Sequence, residues 1–492
     1  MTKNRILFIT NAELGQANVQ LAVIQELLAK TDDYDLHLAS FGGLSQAVDL
    51  LNQTTTPQRA VTFHELKGPT WKEALFERPE HKWKETCALA PTWRNASRLA
   101  PMMTRIVAPW SREELVDLVL QTEKVVKDVD ADLVIVDNLF TPAITVCYNL
   151  KPKWSVLSPN SYREFILGYQ TEFERLYQHP PCASLLPYPV PFYLRPAAWY
   201  IQKQYMKLAK DQWVIGHAMN MQEKINKPYS DWGRVSYDPP KGLKIILPSN
   251  SHNDFPFSVV PDHIVSCGPI VRVAKPVEET DPDLAAWLRR RPTVFINLGS
   301  HVIYDKDATS ELTAAVHSLL DEAKKTKQDI QVLWKMNKSA GGQEGGQRSA
   351  VSSAMNGYAE NDRIRIVDWL ETEPISILRS ENVICSVNHG GANSYFEAVS
   401  AGVAQVVLPV WFDTYDFARR VDYLGIGRIG NRQHAPSLSK DELAPVLRQV
   451  VLGREAERIR ERAAVIAKAC QAGGDGREIA TQAILELLTD GE

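Results

Sequence analysis

Two runs of the chain, DLVIVDNLF at Asp132–Phe140 and VICSVN at Val383–Asn388, are apolar on consecutive residues rather than on alternate ones. A strand with one face in water alternates apolar and polar side chains. A strand apolar throughout needs both faces covered, which a parallel sheet flanked by helices provides. Each run sits in its own alternation of short β-rich and helical segments. In the first half these are RILFIT (Arg5–Thr10), NVQLAVIQELLAK (Asn18–Lys30), DLHLASF (Asp35–Phe41), AVTFHEL (Ala60–Leu66), a long helical region to about Lys127, and KWSVLSP (Lys153–Pro159). In the second they are TVFINLGS (Thr293–Ser300), a helix from Ala308 to Lys325, IQVLWKM (Ile330–Met336), RIRIVDW (Arg363–Trp369) and AQVVLP (Ala404–Pro409). The pattern predicts an α/β protein with two parallel sheets.

At 492 residues the chain exceeds what one core usually supports, which agrees with two units. The expected division is 1–246, a linker at 247–282 with several Pro and little periodicity, a second domain at 283–472, and a C-terminal helix at 473–492 that packs back toward the first domain. The stretch from Pro159 to about Tyr205 is dense in proline and aromatic residues. It reads either as a surface excursion or as a wall over an apolar ligand pocket. Asn337–Arg348 is glycine-rich but lacks a following Lys-Ser/Thr, so it is expected to be a loop rather than a phosphate cradle. With 55 Lys+Arg against 59 Asp+Glu the net charge is −4, which argues against a nucleic-acid binder. Six scattered cysteines suggest reduced thiols and a cytoplasmic protein. No run reaches the length of a membrane span.

The chemistry is concentrated between Trp369 and Asp416. A buried strand ends in His389-Gly390-Gly391 and enters a helix near Asn393. Glycines admit a close backbone approach, and the first amides of a helix present the positive end of its dipole, so this is a diphosphate site. Asn393 and Ser394 add donors, His389 a hydrogen bond or a charge, and Glu397, one turn on, can accept from two ribose hydroxyls. Asp413 opens the next helix, where a carboxylate binds sugar hydroxyls or caps the helix.

These residues resemble the donor signature of the family-1 UDP-sugar glycosyltransferases of the GT-B fold, in which two Rossmann-like domains face each other across a cleft. The resemblance assigns Trp369, followed by Leu370, to the uracil. It assigns His389, Gly391, Asn393, Ser394 and Glu397 to the core of the signature and Asp413 to the sugar. Gly299-Ser300 is similar to the family's Gly-Ser turn, where the serine reaches the diphosphate. Cys267-Gly268-Pro269 is similar to its interdomain linker, and Asp132–Asp137 to the strand ending in the aspartate of its catalytic dyad.

Two positions depart from the family pattern. Gly15-Gln16 stands where the family has Gly-His, and a glutamine amide orients a hydroxyl but cannot take its proton. Thr414 stands where the family has the glutamine that shares the donor sugar. Candidates to replace the base are Asp137, then His64 after the third strand and Glu13 in the first loop. The resemblance implies an inverting, metal-independent transfer of glucose from UDP-glucose to a hydroxyl of a small apolar, phenolic acceptor. The alternative is a UDP-sugar-binding protein left with little transferase activity by Gln16. No Asp-x-Asp pair stands in a suitable loop, and no other cofactor or nucleic-acid partner is expected.

Overall fold

The computed structural model describes residues 4–30, 33–53, 56, 59–300, 302–336 and 350–489; the glycine-rich stretch Asn337–Arg348 lies outside the described residues. The first sheet holds β1 (Asn4–Ile9), β2 (Tyr34–Phe41), β3 (Thr62–Leu66), β4 (Leu133–Val136), β5 (Trp154–Leu157), β6 (Ile245–Leu247) and β7 (Ile264–Ser266). Its order is β3-β2-β1-β4-β5-β6-β7, and every pairing is parallel. The second sheet holds β8 (Thr293–Asn297), β9 (Gln331–Lys335), β10 (Ile364–Val367), β11 (Val383–Asn388), β12 (Ala404–Val407) and β13 (Gly427–Ile429). Its order, β10-β9-β8-β11-β12-β13, is also wholly parallel. Two doubly wound α/β domains with parallel sheets are the expected architecture.

The continuous apolar runs are explained by their surroundings. Leu133, Val134, Ile135 and Val136 of β4 are all fully buried, and they divide between the two clusters on opposite faces of the first sheet. In each sheet the strand order reverses once, between β1 and β4 and between β8 and β11, and a crevice opens there at the carboxyl ends of the strands.

Two expectations change. The long helical region before Lys127 is broken into short turns around Pro79, Pro101 and Pro109, and only Arg112–Val129 forms a long helix. The strand β7 falls inside the range expected for the linker, so the first domain runs to Ser266 and the crossing begins after it. The proline-rich segment folds as short turns followed by the helix Arg195–Met206. The last helix, Gly476–Thr489, lies on the first domain. Its Ala480, Ile484 and Leu487 join the cluster around Leu21 and Ile24, and Arg477 pairs with Glu26 at 2.8 Å.

The two domains are joined by buried charge. Arg419 and Arg420, on the helix Phe412–Leu424, bond Asp416 on the same helix, and Arg420 reaches Asp254 of the first domain at 2.6 Å. Arg163 of the first domain lies 3.6 Å from Asp416. Arg419 also donates to the carbonyls of Pro181 (3.1 Å) and Ser184 (2.7 Å) in the proline-rich segment. These arginines hold the Asp416 carboxyl well below the ordinary carboxylate range, against the desolvation that would raise it. Beside them an aromatic cluster packs Leu75, Trp83 and Met102 of the first domain on Phe412 and Tyr415 of the second. Removing one member of a buried pair strands the other charge. R420A is therefore expected to cost about 3–5 kcal/mol of stability in urea denaturation. A loss no larger than that of an exposed arginine such as Arg454→Ala would show that the cluster is not under this constraint.

Candidate active site

The signature residues follow the carboxyl ends of β8, β10, β11 and β12. On the second sheet β8 ends in Leu298-Gly299-Ser300 and β11 in His389. Asn388 Oδ1 accepts from the Gly390 amide at 2.8 Å and turns the chain. Gly390 has φ +81°, and a Cβ there would stand 2.8 Å from the Thr414 carbonyl. The His389 ring lies between the two glycine loops: a Cβ on Gly299 or on Gly391 would come within 2.6 Å or 2.5 Å of ring atoms. Its other neighbour is Trp411, edge-on at 5.9 Å. Gly391 precedes the helix Ala392–Ala401 with no side chain capping its first amides, so that turn presents its N–H groups beside Asn393 and Ser394. Ser300 is exposed at the same edge.

The Trp369 ring is 71 % exposed, with one face free for stacking; the Lys335 ammonium stands 5.7 Å from its centroid and 3.5 Å from the Gly299 carbonyl. Burial lowers the Lys335 pKa. Leu370 turns into the apolar cluster around Phe295 and Leu333, so only its backbone is offered to a ligand. Glu397 is half-buried, and its pKa is pushed up to about 8 by desolvation and by Glu373, against the pull of Arg272 and Arg379. Arg272, just past the first domain, pairs with Glu373 at 2.7 Å. Asp413 stands open to solvent in the first turn of its helix. Desolvation by the surrounding walls raises its pKa, and the Glu164 and Asp416 charges add to that.

Thr414 is a correction. Its hydroxyl accepts from the Val410 (3.1 Å) and Trp411 (3.0 Å) amides and donates to the Trp411 carbonyl. The side chain is buried and closes its own helix turn, so it has no hydroxyl left for a donor sugar.

On the first sheet Asp137 follows β4 and is fully buried. Its carboxylate accepts from Thr10 Oγ1 (3.1 Å), the Asn11 amide (3.2 Å), Asn11 Nδ2 (3.1 Å) and the Leu139 amide (2.9 Å). Four donors occupy both oxygens, and they tie the loop after β1 to the end of β4. Glu13, in that loop, is held differently. One oxygen accepts from the Lys72 amide at 2.8 Å, while Oε2 is enclosed with no hydrogen-bond partner. Desolvation raises the Glu13 pKa and the Asp137 charge adds to it, although the bond from the Lys72 amide opposes the rise. Gln16 stands in the first turn of the helix Leu14–Lys30, with its amide N–H bonded to the Glu13 carbonyl at 2.8 Å and its Oε1 unpartnered. His64 is not part of this group. It lies within β3 at the sheet edge, 2.9 Å from His37, with a pKa lowered by burial and by that neighbour.

One contact brings the halves together: Asn393 Nδ2 donates to the Leu14 carbonyl at 2.8 Å. It sets the amide end of the helix Ala392–Ala401 against the loop that carries Glu13 and Gln16. Tyr395, two residues on, donates to the Asn253 carbonyl and pins the same helix a second time. Sequence reasoning missed Lys335, Arg272 and Trp411. Lys335 was within reach of it, because it ends the strand beside β8 at the same sheet edge. Arg272 was not, because its partner Glu373 is 101 residues away.

Comparison with known proteins bears on the class of the chain. Residues 354–486 match the erythromycin biosynthesis protein CIII-like C-terminal domain. The chain is 33% identical to glycosyltransferase sdnJ of Sordaria araneosa over 467 residues, 92% of this chain and 88% of that protein. It is 25% identical to UDP-glycosyltransferase 74C1 of Arabidopsis thaliana over 221 residues, 43% of this chain and 44% of that one. A UDP-glucosyltransferase structure from Polygonum tinctorium superposes with a TM-score of 0.66 at 15% identity, covering 100% of both chains. The kitacinnamycin glycosyltransferase structure gives 0.62 at 15% identity over 99% of both. The chain belongs to the family-1 UDP-sugar glycosyltransferases and has the GT-B fold. Among the described residues no helix is long and apolar enough to cross a membrane.

The raised Glu397 pKa has a consequence for stability. The folded chain keeps this proton over a range where the unfolded chain has lost it, so stability falls as pH rises from about 4.5 to about 8. E397Q, uncharged throughout, is expected to flatten the decline of Tm across that window. Equal slopes for the two proteins would remove Glu397 as a source of the decline.

Proposed function

We propose that the protein transfers glucose from UDP-glucose to a hydroxyl of a small apolar, phenolic acceptor, with inversion and without a metal. The observation that carries this reading is the Asn393–Leu14 contact, which joins a diphosphate-type helix end to a loop bearing a half-occupied carboxylate. Uracil stacks on the open face of Trp369, Glu397 accepts from the ribose, and the diphosphate lies against the first amides of the helix Ala392–Ala401, with Ser300, His389, Asn393 and Ser394. Asp413 holds the sugar. The acceptor oxygen attacks the anomeric carbon as the bond to UDP breaks, and the departing electron pair is stabilised by those donors.

The proton of the acceptor goes to Glu13, and Gln16 orients the hydroxyl. Glu13 has an oxygen without a hydrogen-bond partner and a pKa raised by burial, both of which favour a base. Asp137, with both oxygens occupied, positions the loop and contributes its charge to Glu13. An apolar groove of about 630 Å³ supports an aromatic acceptor; it is lined by Trp93, Leu185, Tyr193, Tyr200 and Ile201 from the first domain and Arg432 from the second. Leu185 and Ala435 of that groove also pack in the cluster with Trp411 and Phe412, next to Asp413.

Gln16 favours a second reading, a UDP-sugar-binding protein without transfer. Mass spectrometry of products from UDP-glucose, UDP-galactose and UDP-GlcNAc with mixed phenols separates the two, and activity is expected to survive EDTA. UDP binding with no UDP release from any donor would support the second reading. E13Q is expected to lower kcat about 100-fold with little change in UDP affinity, and the loss should shrink for more acidic phenols. A kcat within about threefold of wild type would rule Glu13 out as base.

A further inference from the structure

The helix Arg195–Met206 and the turns on either side of it form a surface unlike the rest of the molecule. Phe192 is 77 %, Tyr193 67 %, Trp199 46 % and Met206 69 % exposed. Positions 192, 196, 199, 203, 206 and 210 follow one another at intervals of three and four, so they share a face, while Ala198, Ile201 and Gln204 are buried on the other side. That outer face is cationic as well as aromatic. Arg195, Lys203, Lys207 and Lys210 fall within residues 191–210 and no acidic residue does, in a chain whose net charge is −4. The Lys203 ammonium lies 5.0 Å from the Trp199 ring, and the Arg195 guanidinium lies 5.3 Å from Phe173, itself half exposed. Nearby carboxylates are mostly engaged. Asp211 pairs with Arg105 at 2.8 Å, and Glu174 bonds Thr171 and Ser258, which leaves Glu172 as the exposed acid at the border.

Large aromatic side chains on a helix that is fixed by its other face, flanked by lysines and free of acids, match the interfacial zone of a bilayer with anionic headgroups. Their aliphatic and aromatic parts enter the headgroup–acyl boundary and the ammonium groups remain with the phosphates and carboxylates above it. We infer that this face docks the enzyme peripherally on an anionic membrane surface. The charge complementarity selects that occupant over a second copy of the chain, which would set four cations against four. The position also has a use. Tyr193, Leu194, Pro196, Ala197, Tyr200 and Ile201 of this same segment line the apolar groove, so docking brings the groove to the lipid, where an apolar acceptor partitions. The docking itself rests on the surface residues and not on the proposed reaction.

The test is flotation of the full-length protein with vesicles of phosphatidylcholine alone and of phosphatidylcholine with phosphatidylserine at about three to one. Binding is expected to the mixed vesicles, with a blue shift of tryptophan emission, little binding to the neutral ones, and loss on raising salt. F192S/W199S and K203E/K207E/K210E are each expected to weaken it about tenfold or more while Tm and UDP affinity stay unchanged. Absence of binding to mixed vesicles at low salt, or binding by both variants within about twofold of wild type, would overturn the inference. So would a concentration-dependent dimer, seen in sedimentation velocity, that both variants dissolve.

Discussion

The relation of the two domains depends on charges buried between them. Arg419 and Arg420 come from the helix that Asp413 opens, and they reach Asp254, Pro181 and Ser184 of the first domain. Guanidinium groups in an interior cost free energy unless every neighbour is correctly placed, so such a cluster tolerates little sliding. An interface held by apolar packing alone would accept several offsets of Trp83 over Phe412. One held by a shared carboxylate, Asp416, between arginines from both domains accepts far fewer. The geometry of the candidate site inherits this restriction, because Asp413 is one turn from Asp416 on the same helix.

The same logic runs through the helix Ala392–Ala401. Its first turn is fixed from behind by the tight packing of Gly390 on the Thr414 carbonyl and from across the cleft by Asn393 on Leu14 and Tyr395 on Asn253. In the proposed site the diphosphate is held mainly by backbone amides, so the helix end itself must be placed to within a few tenths of an ångström. The net charge of −4 agrees with this economy. In the proposed site anion binding falls to one helix end, His389 and the neighbouring polar side chains, and a long stretch of unopposed cations lies elsewhere, on the surface around Trp199.

How much of this was legible depended on how local the cause is. The continuous runs at β4 and β11 revealed a two-faced sheet because burial on both faces is written into consecutive residues. The donor signature was legible for the same reason: Gly391, Asn393, Ser394 and Glu397 are one short strand–helix junction. The three-residue strands β6, β7 and β13 are shorter than a period that pattern can detect, and that is why the linker appeared to begin too early. The interdomain arginines could not be found at all, since Arg420 and Asp254 are 166 residues apart and nothing in either neighbourhood announces the other. Thr414 failed for a subtler reason. A threonine at the third position of a helix competes for its own backbone, and here the backbone won.

Asp137 and Glu13 show why residue type and position are not enough to assign a base. Both are carboxylates at the carboxyl edge of the first sheet, both are enclosed, and desolvation raises the pKa of both. They differ in their partners. Three donors aim at Oδ2 of Asp137 and a fourth at Oδ1, so neither oxygen is without a partner to hold it in place. Glu13 spends one oxygen on its own positioning and keeps the other. The charge of Asp137 then acts through space: by disfavouring a second negative charge nearby it makes Glu13 the better proton acceptor. In the proposed reaction a fully bonded carboxylate and a half-free one divide between them the positioning and the proton transfer that the family assigns to an aspartate and a histidine, and Gln16 takes the orienting role that an amide can perform.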